Sequence, residues 1–323
     1  DLTEIGELLR RYVDAGGSPR FDILNPAQYP HMTEAPRTLD AVRHVAGGFP
    51  LIVGDARDLR VGRTRDGLFL PSRLLGGFAT TILESGPADD PLRRRAVGLY
   101  AGIGRGHTHQ DCLNLELFAH SCRLMPDLGG RHEGANHGSP NMRWNKVHNL
   151  VEVDDRNFEN SYAGSTVSGT GWNTAFSPQP GSQFMEHRAR ATSHPEVSLY
   201  SRQTALIDVD DRNSYLFDVF RVRGGAVHTY CFHGGRASNE AFSVNTPLAP
   251  AASEDAAAYL RKHFDGTRRE GVAPEILQAD WTLDPQLQKS YQGAHHEPDA
   301  PVTTRLHLFS RAGDRVYTGN AFS

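Results

Sequence analysis

"YLFDVFRVRGGAVHTYCFHGG", Tyr215 to Gly235, decides the fold class. Two runs rich in Val, Phe, Tyr and Thr flank Gly224-Gly225, and apolar and polar residues alternate along them. A period of two marks a strand with one buried face, and paired glycines supply the positive φ of a tight turn, so the stretch predicts a β-hairpin. The form recurs at "TTRLHLFSRAGDRVYTGN", Thr303 to Asn320, with Ala312-Gly313-Asp314 as the turn. Working back from these, the texture from about Leu68 onward is one of short apolar runs separated by Gly, Pro, Asn and Asp clusters. Candidate strands fall at 77–83, 96–102, 114–120, 150–153, 198–208, 215–222 and 226–233, with one helix or helical turn inserted at 253–263. Many short strands with turn signals between them predict an antiparallel β-sandwich.

Upstream the period changes. Ile5, Leu8, Leu9, Tyr12 and Val13 recur at helical spacing after Thr3 as a cap, and Gly16-Gly17 ends the pattern. A weaker helix covers Leu39, Val42 and Val45 and closes at Gly47-Gly48. Two helices this short cannot bury their own stripes, so they predict a further element to lean on. The abrupt helical start predicts a piece of a longer protein.

Composition bounds the function. A chain of 323 residues with 38% hydrophobic residues can bury a sizeable core. Its formal net charge of −4 excludes a protein built mainly to coat nucleic acid. No apolar run is long enough to span a bilayer as a helix, and no signal peptide is legible at the start, so no membrane partner is expected. The three cysteines lack CxxC spacing and allow one internal disulfide at most. The 16 histidines are many for this length, and several crowd the region from Gly106 to His148.

That region opens with "GRGHTHQDCLNLELFAHSCRLMPDLGG", Gly104 to Gly130, and leads to "RWNKVHNLVEVD", Arg143 to Asp154. On a strand, residues two apart share a face, so His107 and His109 are expected to look the same way. Asp127 follows a strand and can return beside them, and His148 opens a third strand. Two imidazoles and a carboxylate from three strands are the ingredients of a zinc site of His/Asp/His type. The competing reading makes HxH the wet face of a sheet. A cupin arrangement is disfavoured, because alternation sends Glu116 to the face opposite the histidines, where it and His120 are expected in solvent.

In the order "GHTHQD", "LELFAHSCRLMPDLGG", "VHNLVEVD", the chain resembles the C-terminal half of the heparinase II/III-like polysaccharide lyases. The likeness extends upstream to "FPLIVGDARD" and downstream to "YLFDVFRVRGGAVHTYCFHG". The resemblance implies an antiparallel β-sandwich (super-sandwich) over 61–323, preceded over 1–60 by the terminal helices of an (α/α) toroid whose remainder lies on further sequence. It also implies a cleft between the two domains, an acidic polysaccharide or oligosaccharide substrate, periplasmic or secreted localisation and, for some members, a homo-oligomer. Matched residue by residue, His107 takes the place of the histidine that faces substrate. His109, Asp127 and His148 take the places of the ligands of a structural Zn2+ or another divalent cation. Asp111 and Asn149 fall on motif positions with a supporting hydrogen-bonding role, although either can also cap a turn.

Such lyases cleave a uronate-containing chain by β-elimination, a reaction that needs the substrate carboxylate neutralised as charge spreads into it. His107 is the candidate for neutralisation or proton transfer. Arg105, Arg143 and Lys146 are candidates to hold the acidic chain and Trp144 to stack on a sugar; the competing readings are solvated loop charges and a core tryptophan. His228 and His233 lie on opposite faces of one strand, so only one can reach a cleft. The tyrosine that relatives use as acid or base has no matching position; Tyr100 and Tyr162 are weaker substitutes. Two other functions remain open: a non-catalytic carbohydrate-binding or scaffold sandwich that keeps the zinc, and a zinc-dependent hydrolase with an open coordination position.

Overall fold

The computed structural model describes residues 2–34, 70–101, 109–127, 145–156, 171–189, 197–234, 241–251, 265–283 and 300–320. The expected second helix at 39–45 and the inserted helix at 253–263 lie outside them. The chain divides into two compact units, Asp1–His44 and Val45–Ser323.

In the first unit, helix α1 (Leu2–Asp14) places Thr3 inside its first turn, not at the cap expected for it. Its end is as predicted. The Gly17 N–H reaches Tyr12 O at 3.0 Å and the Gly16 N–H reaches Val13 O at 2.9 Å, with Gly16 at φ 91°, a left-handed stop that satisfies two terminal carbonyls.

The second unit is an antiparallel β-sandwich. One sheet is a meander of β1 (Arg73–Leu75), β2 (Thr80–Ser85), β3 (Arg95–Tyr100), β4 (Asn114–Ala119) and β5 (Cys122–Met125). After β6 (Val151–Val153) come β7 (Gly171–Gln179), β8 (Ser182–Ala189), β9 (Leu199–Asp208) and β10 (Ser214–Arg223), which form a four-stranded sheet in the order β10-β9-β8-β7. The two sheets meet through β2 and β8. Thr81 Oγ1 lies 3.0 Å from His187 Nε2, Gln183 Nε2 donates to Glu84 O at 2.7 Å, and Arg95 pairs with Asp208 at 2.6 Å. Leu83, Val97, Leu99, Leu115, Met185, Tyr200 and Leu206 fill the core.

Both expected hairpins are corrected here. Instead of pairing with β10, β11 (His228–Tyr230) pairs with β6, so Gly224-Gly225 is where the chain leaves one sheet for another. Asp154 captures the departing strand: its Oδ1 accepts the Ala226 and Val227 N–H groups, each at 2.7 Å. The C-terminal glycine turn behaves the same way. Of the remaining strands, β12 (Ala241–Val244), β15 (Ile276–Leu283) and β16 (Val302–Phe309) form one sheet, while β13 (Ala249–Pro250), β14 (Asp265–Val272) and β17 (Arg315–Asn320) form another. The turn at Ala312-Gly313-Asp314 thus joins strands of different sheets. A glycine turn permits reversal of the chain, but whichever open edge the next strand meets decides its partner.

Candidate metal centre

His109, Asp127 and His148 come together, all buried, with one ligand atom from each within 4.8 Å of the others. His109 Nδ1 lies 3.9 Å from Asp127 Oδ1, and His148 Nδ1 lies 3.4 Å from Asp127 Oδ2. The imidazole centroids are 5.4 Å apart. The expectation that the three ride on strands is corrected. His109 precedes β4 in an irregular segment, Asp127 follows β5, and His148 lies between a 3-10 turn (Asn145–Val147) and β6. Strand ends free a side chain from the pleat, so three loops can aim at one point where three strands would hold their ligands at fixed lateral spacing.

The surrounding side chains fix the loops. The Asp127 N–H donates to Glu116 Oε2 at 3.1 Å, and Asn114 Nδ2 donates to Asp127 Oδ2 at 3.2 Å. Asn114 Oδ1 also accepts the Asn149 N–H at 2.9 Å, linking the Asp127 loop to the His148 loop. Asn149 is buried; its Nδ2 donates to Leu115 O at 3.1 Å and lies 3.2 Å from His233 Nε2, while its Oδ1 accepts the His233 N–H at 2.9 Å. His233 Nδ1 lies 2.8 Å from Gly234 O, so the ring is a neutral Nδ1–H tautomer accepting at Nε2. Burial pushes its pKa down to about 4, which holds it neutral. From the opposite sheet, Arg202 donates Nη1 to Leu113 O at 2.8 Å and to Asn149 O, while Asp218 takes its Nε and Nη2 at 2.8 and 2.9 Å.

The charge balance of the cluster would accommodate a cation. Asp111 is fully buried, and neither of its carboxylate oxygens has a hydrogen-bond partner among the described residues. Burial, reinforced by the charge of Asp127 and opposed by that of His148, pushes its pKa up to about 7. Burial alone would lower the pKa of His148, but the Asp127 and Asp111 carboxylates override it and hold the pKa above its usual value. Among the described residues His148 Nε2 has no hydrogen-bond partner, and Nδ1 has only the long 3.4 Å approach to Asp127 Oδ2. Tetrahedral zinc with bonds of ~2.0–2.1 Å sets its donors about 3.4 Å apart, close to the spacings on either side of Asp127. The donor set fits zinc: two imidazoles and one carboxylate, with buried negative charge to balance.

No family model matches the sequence, and no curated protein matches it. Solved structures do. Over 88% of this chain and 44% of the other, the fold superposes on the heparan sulfate lyase HepC from Pedobacter heparinus with a TM-score of 0.53 at 14% identity. A heparinase III structure matches over 98% of this chain and 51% of the other, with a TM-score of 0.54 at 10% identity. The fold is that of the heparan sulfate lyases. This chain spans about half the length of those structures.

On this lyase fold the remaining expectations sort as follows. Arg105, His107, Arg143, Trp144 and Tyr162 lie outside the described residues. Lys146 is not the solvated loop charge of the competing reading: it is buried, with Nζ 3.3 Å from Glu152 Oε1 and paired also with Asp155. Tyr100 is part of the core. Of the pair on β11 and its extension, His233 reaches the centre and His228 stays exposed. Glu116 is corrected from solvent to the interior, because β4 belongs to a sheet buried on both faces, and there it holds the Asp127 loop. Asn114 and Arg202 were missed. An Asn opening a strand and an Arg 53 residues beyond Asn149 leave no signal in sequence spacing.

Proposed function

We propose that the chain is the β-sandwich part of a polysaccharide lyase that cleaves an acidic, uronate-containing polysaccharide by β-elimination, with a structural zinc held by His109, Asp127 and His148. The observation that carries this reading is the buried His/Asp/His cluster on a fold shared with a heparan sulfate lyase. When bound, the ion supplies positive charge that offsets Asp127 and ties three loops together. Burial of all three ligands supports a structural role over a hydrolytic one, since a hydrolytic zinc needs a coordination position that substrate can reach.

In the elimination a base removes the C5 proton of the uronate; the electron pair forms the C4–C5 double bond, and the 4-linked oxygen leaves with the electrons of its bond to C4. Negative charge builds on the uronate carboxylate, and His107, two residues before a metal ligand, is the proposed group that neutralises it or moves the proton. Arg105 and Arg143 would hold the acidic chain, and Trp144 would stack on a sugar. Lys146 is left out, because Glu152 and Asp155 already neutralise it. Asn149 is proposed as a support, fixing the backbone beside His148. The acid or base tyrosine is assigned to an (α/α) toroid on further sequence, beyond the helices of residues 1–60, and the protein to the periplasm or exterior.

The test is incubation of the full-length protein with heparan sulfate and other uronate polymers, following the near-ultraviolet absorbance of unsaturated uronate ends. His107→Ala is expected to abolish that signal while zinc content and melting temperature stay unchanged. A fall in zinc content would exchange the roles of His107 and His109. Glycan binding without an absorbance rise would replace the lyase with a carbohydrate-binding sandwich.

A further inference from the structure

The outer face of the four-stranded sheet lies on the side away from the core, and no part of the metal centre uses it. The strand registers arrange it in rows that cross the strands. One row runs Trp172, Arg188, Ser201, Arg221, with Ser201 itself buried between its neighbours; the next but one runs Ser177, Phe184, Ala205, Phe217; Tyr215 and Ile207 follow. Trp172 is 44% exposed, Tyr215 54% and Phe217 56%, where the inward neighbours Leu206, Arg202 and His187 are buried. Tyr215 and Phe217 are neighbours on β10, while Trp172 stands at the opposite corner of the sheet, three strands and four residues from Phe217; monomeric proteins rarely leave large apolar groups side by side on a sheet face without a partner.

Charge says which partner. The face carries Arg188, Arg221 and Arg223 against one acidic side chain, Glu186, on a chain whose formal net charge is −4. Arg188 pairs with Glu186 at 3.2 Å, whereas Arg221 and Arg223 make no ion pair among the described residues. Along β10 the outward positions Tyr215, Phe217, Val219, Arg221 and Arg223 lie along a strip of about 27 Å at strand rise. Guanidinium groups fork onto carboxylate or sulfate oxygens, and exposed rings take the apolar faces of sugars.

We propose that this face is a second binding surface for an acidic polysaccharide, separate from the reaction site: Arg221 and Arg223 meet its anionic groups while Tyr215, Phe217 and Trp172 carry its rings. The ligand class rests on the acidic-polysaccharide reading given above; the surface does not depend on catalysis.

The test is binding of heparan sulfate oligosaccharides to the full-length protein by calorimetry across ionic strength, with dextran as the neutral control, beside Arg221→Gln/Arg223→Gln and Phe217→Ser. Both variants are expected to keep zinc content and melting temperature. The arginine pair is expected to weaken binding about tenfold and flatten its salt dependence, and Phe217→Ser to weaken it severalfold with the salt slope kept. Any production of unsaturated ends from short oligosaccharides should be the same in all three proteins, so loss of the lyase reading and loss of this one are read separately. Unchanged affinity in both variants overturns the proposal, as does equal binding of dextran. A concentration-dependent dimer in sedimentation that either variant abolishes would assign the face to a second copy instead.

Discussion

Asp127 stands between two imidazoles, and each ligand of the cluster is held by a different loop, so losing one ligand costs both metal and cross-link. His109→Ala or Asp127→Ala is expected to drop zinc from about one per chain to a small fraction and to lower the melting temperature in the same step. Elemental analysis beside calorimetry checks it, and full zinc content in either variant would remove the residue from the ligand set. A second residue, His187, gives a pH signature away from the metal. It is fully buried against Thr81, and burial pushes its pKa down to about 4. Unfolded, a histidine takes its proton near 6.5, so between these values the unfolded state binds more protons than the native one. The stability this neutral ring supports is complete above pH 6.5 and is lost as pH falls toward 4, by about 3 kcal/mol. Urea unfolding at pH 7 and pH 4.5 measures the slope. His187→Gln should flatten it, and an unchanged slope would place the titration elsewhere.

At the scale of elements, the sheets are locked by charged groups as well as by the core. Arg202 on β9 is buried, spans Asp218 on β10 and carries the backbone beside both β4 and His148. Arg202→Leu leaves the partly buried Asp218 carboxylate without its counter-charge and two carbonyls without a donor, an expected loss of ~3–5 kcal/mol. Arg202→Leu/Asp218→Leu should recover part of it. Equilibrium denaturation decides, and a double variant less stable than the single would deny the pair its coupling. At the crossover from β10 to β11, Gly225 adopts φ 79°, and a Cβ there would stand 2.3 Å from Val153 Cγ1. Gly225→Ala should therefore strain both the backbone and the β6–β11 pair, by about 1–3 kcal/mol. Periodicity found most of these strands. Pairing was the part it could not read, since a strand's alternation says which face is buried and nothing about which edge it joins.

For the molecule as a whole, the proposed zinc would couple to the fold, because its three ligands lie on different loops. Chelation with EDTA is expected to lower the melting temperature of the sandwich and added zinc to restore it; a melting curve indifferent to both would deny the centre a structural role. Sequence alone determined the all-β class, most strand positions, the helix stop at Gly16-Gly17 and the candidacy of His109, Asp127 and His148, because period, turn chemistry and ligand type are local properties. The tertiary structure decided what depends on distance. It placed the ligands on loops beyond the strand ends, turned two predicted hairpins into crossings between sheets and buried Glu116. It also brought His233 and Arg202 to the centre from far along the chain, and set Asn114 at the start of β4 to join them. Those contacts follow from how the sheet edges pair and which faces are covered, and neither is written in the spacing of residues along a single strand.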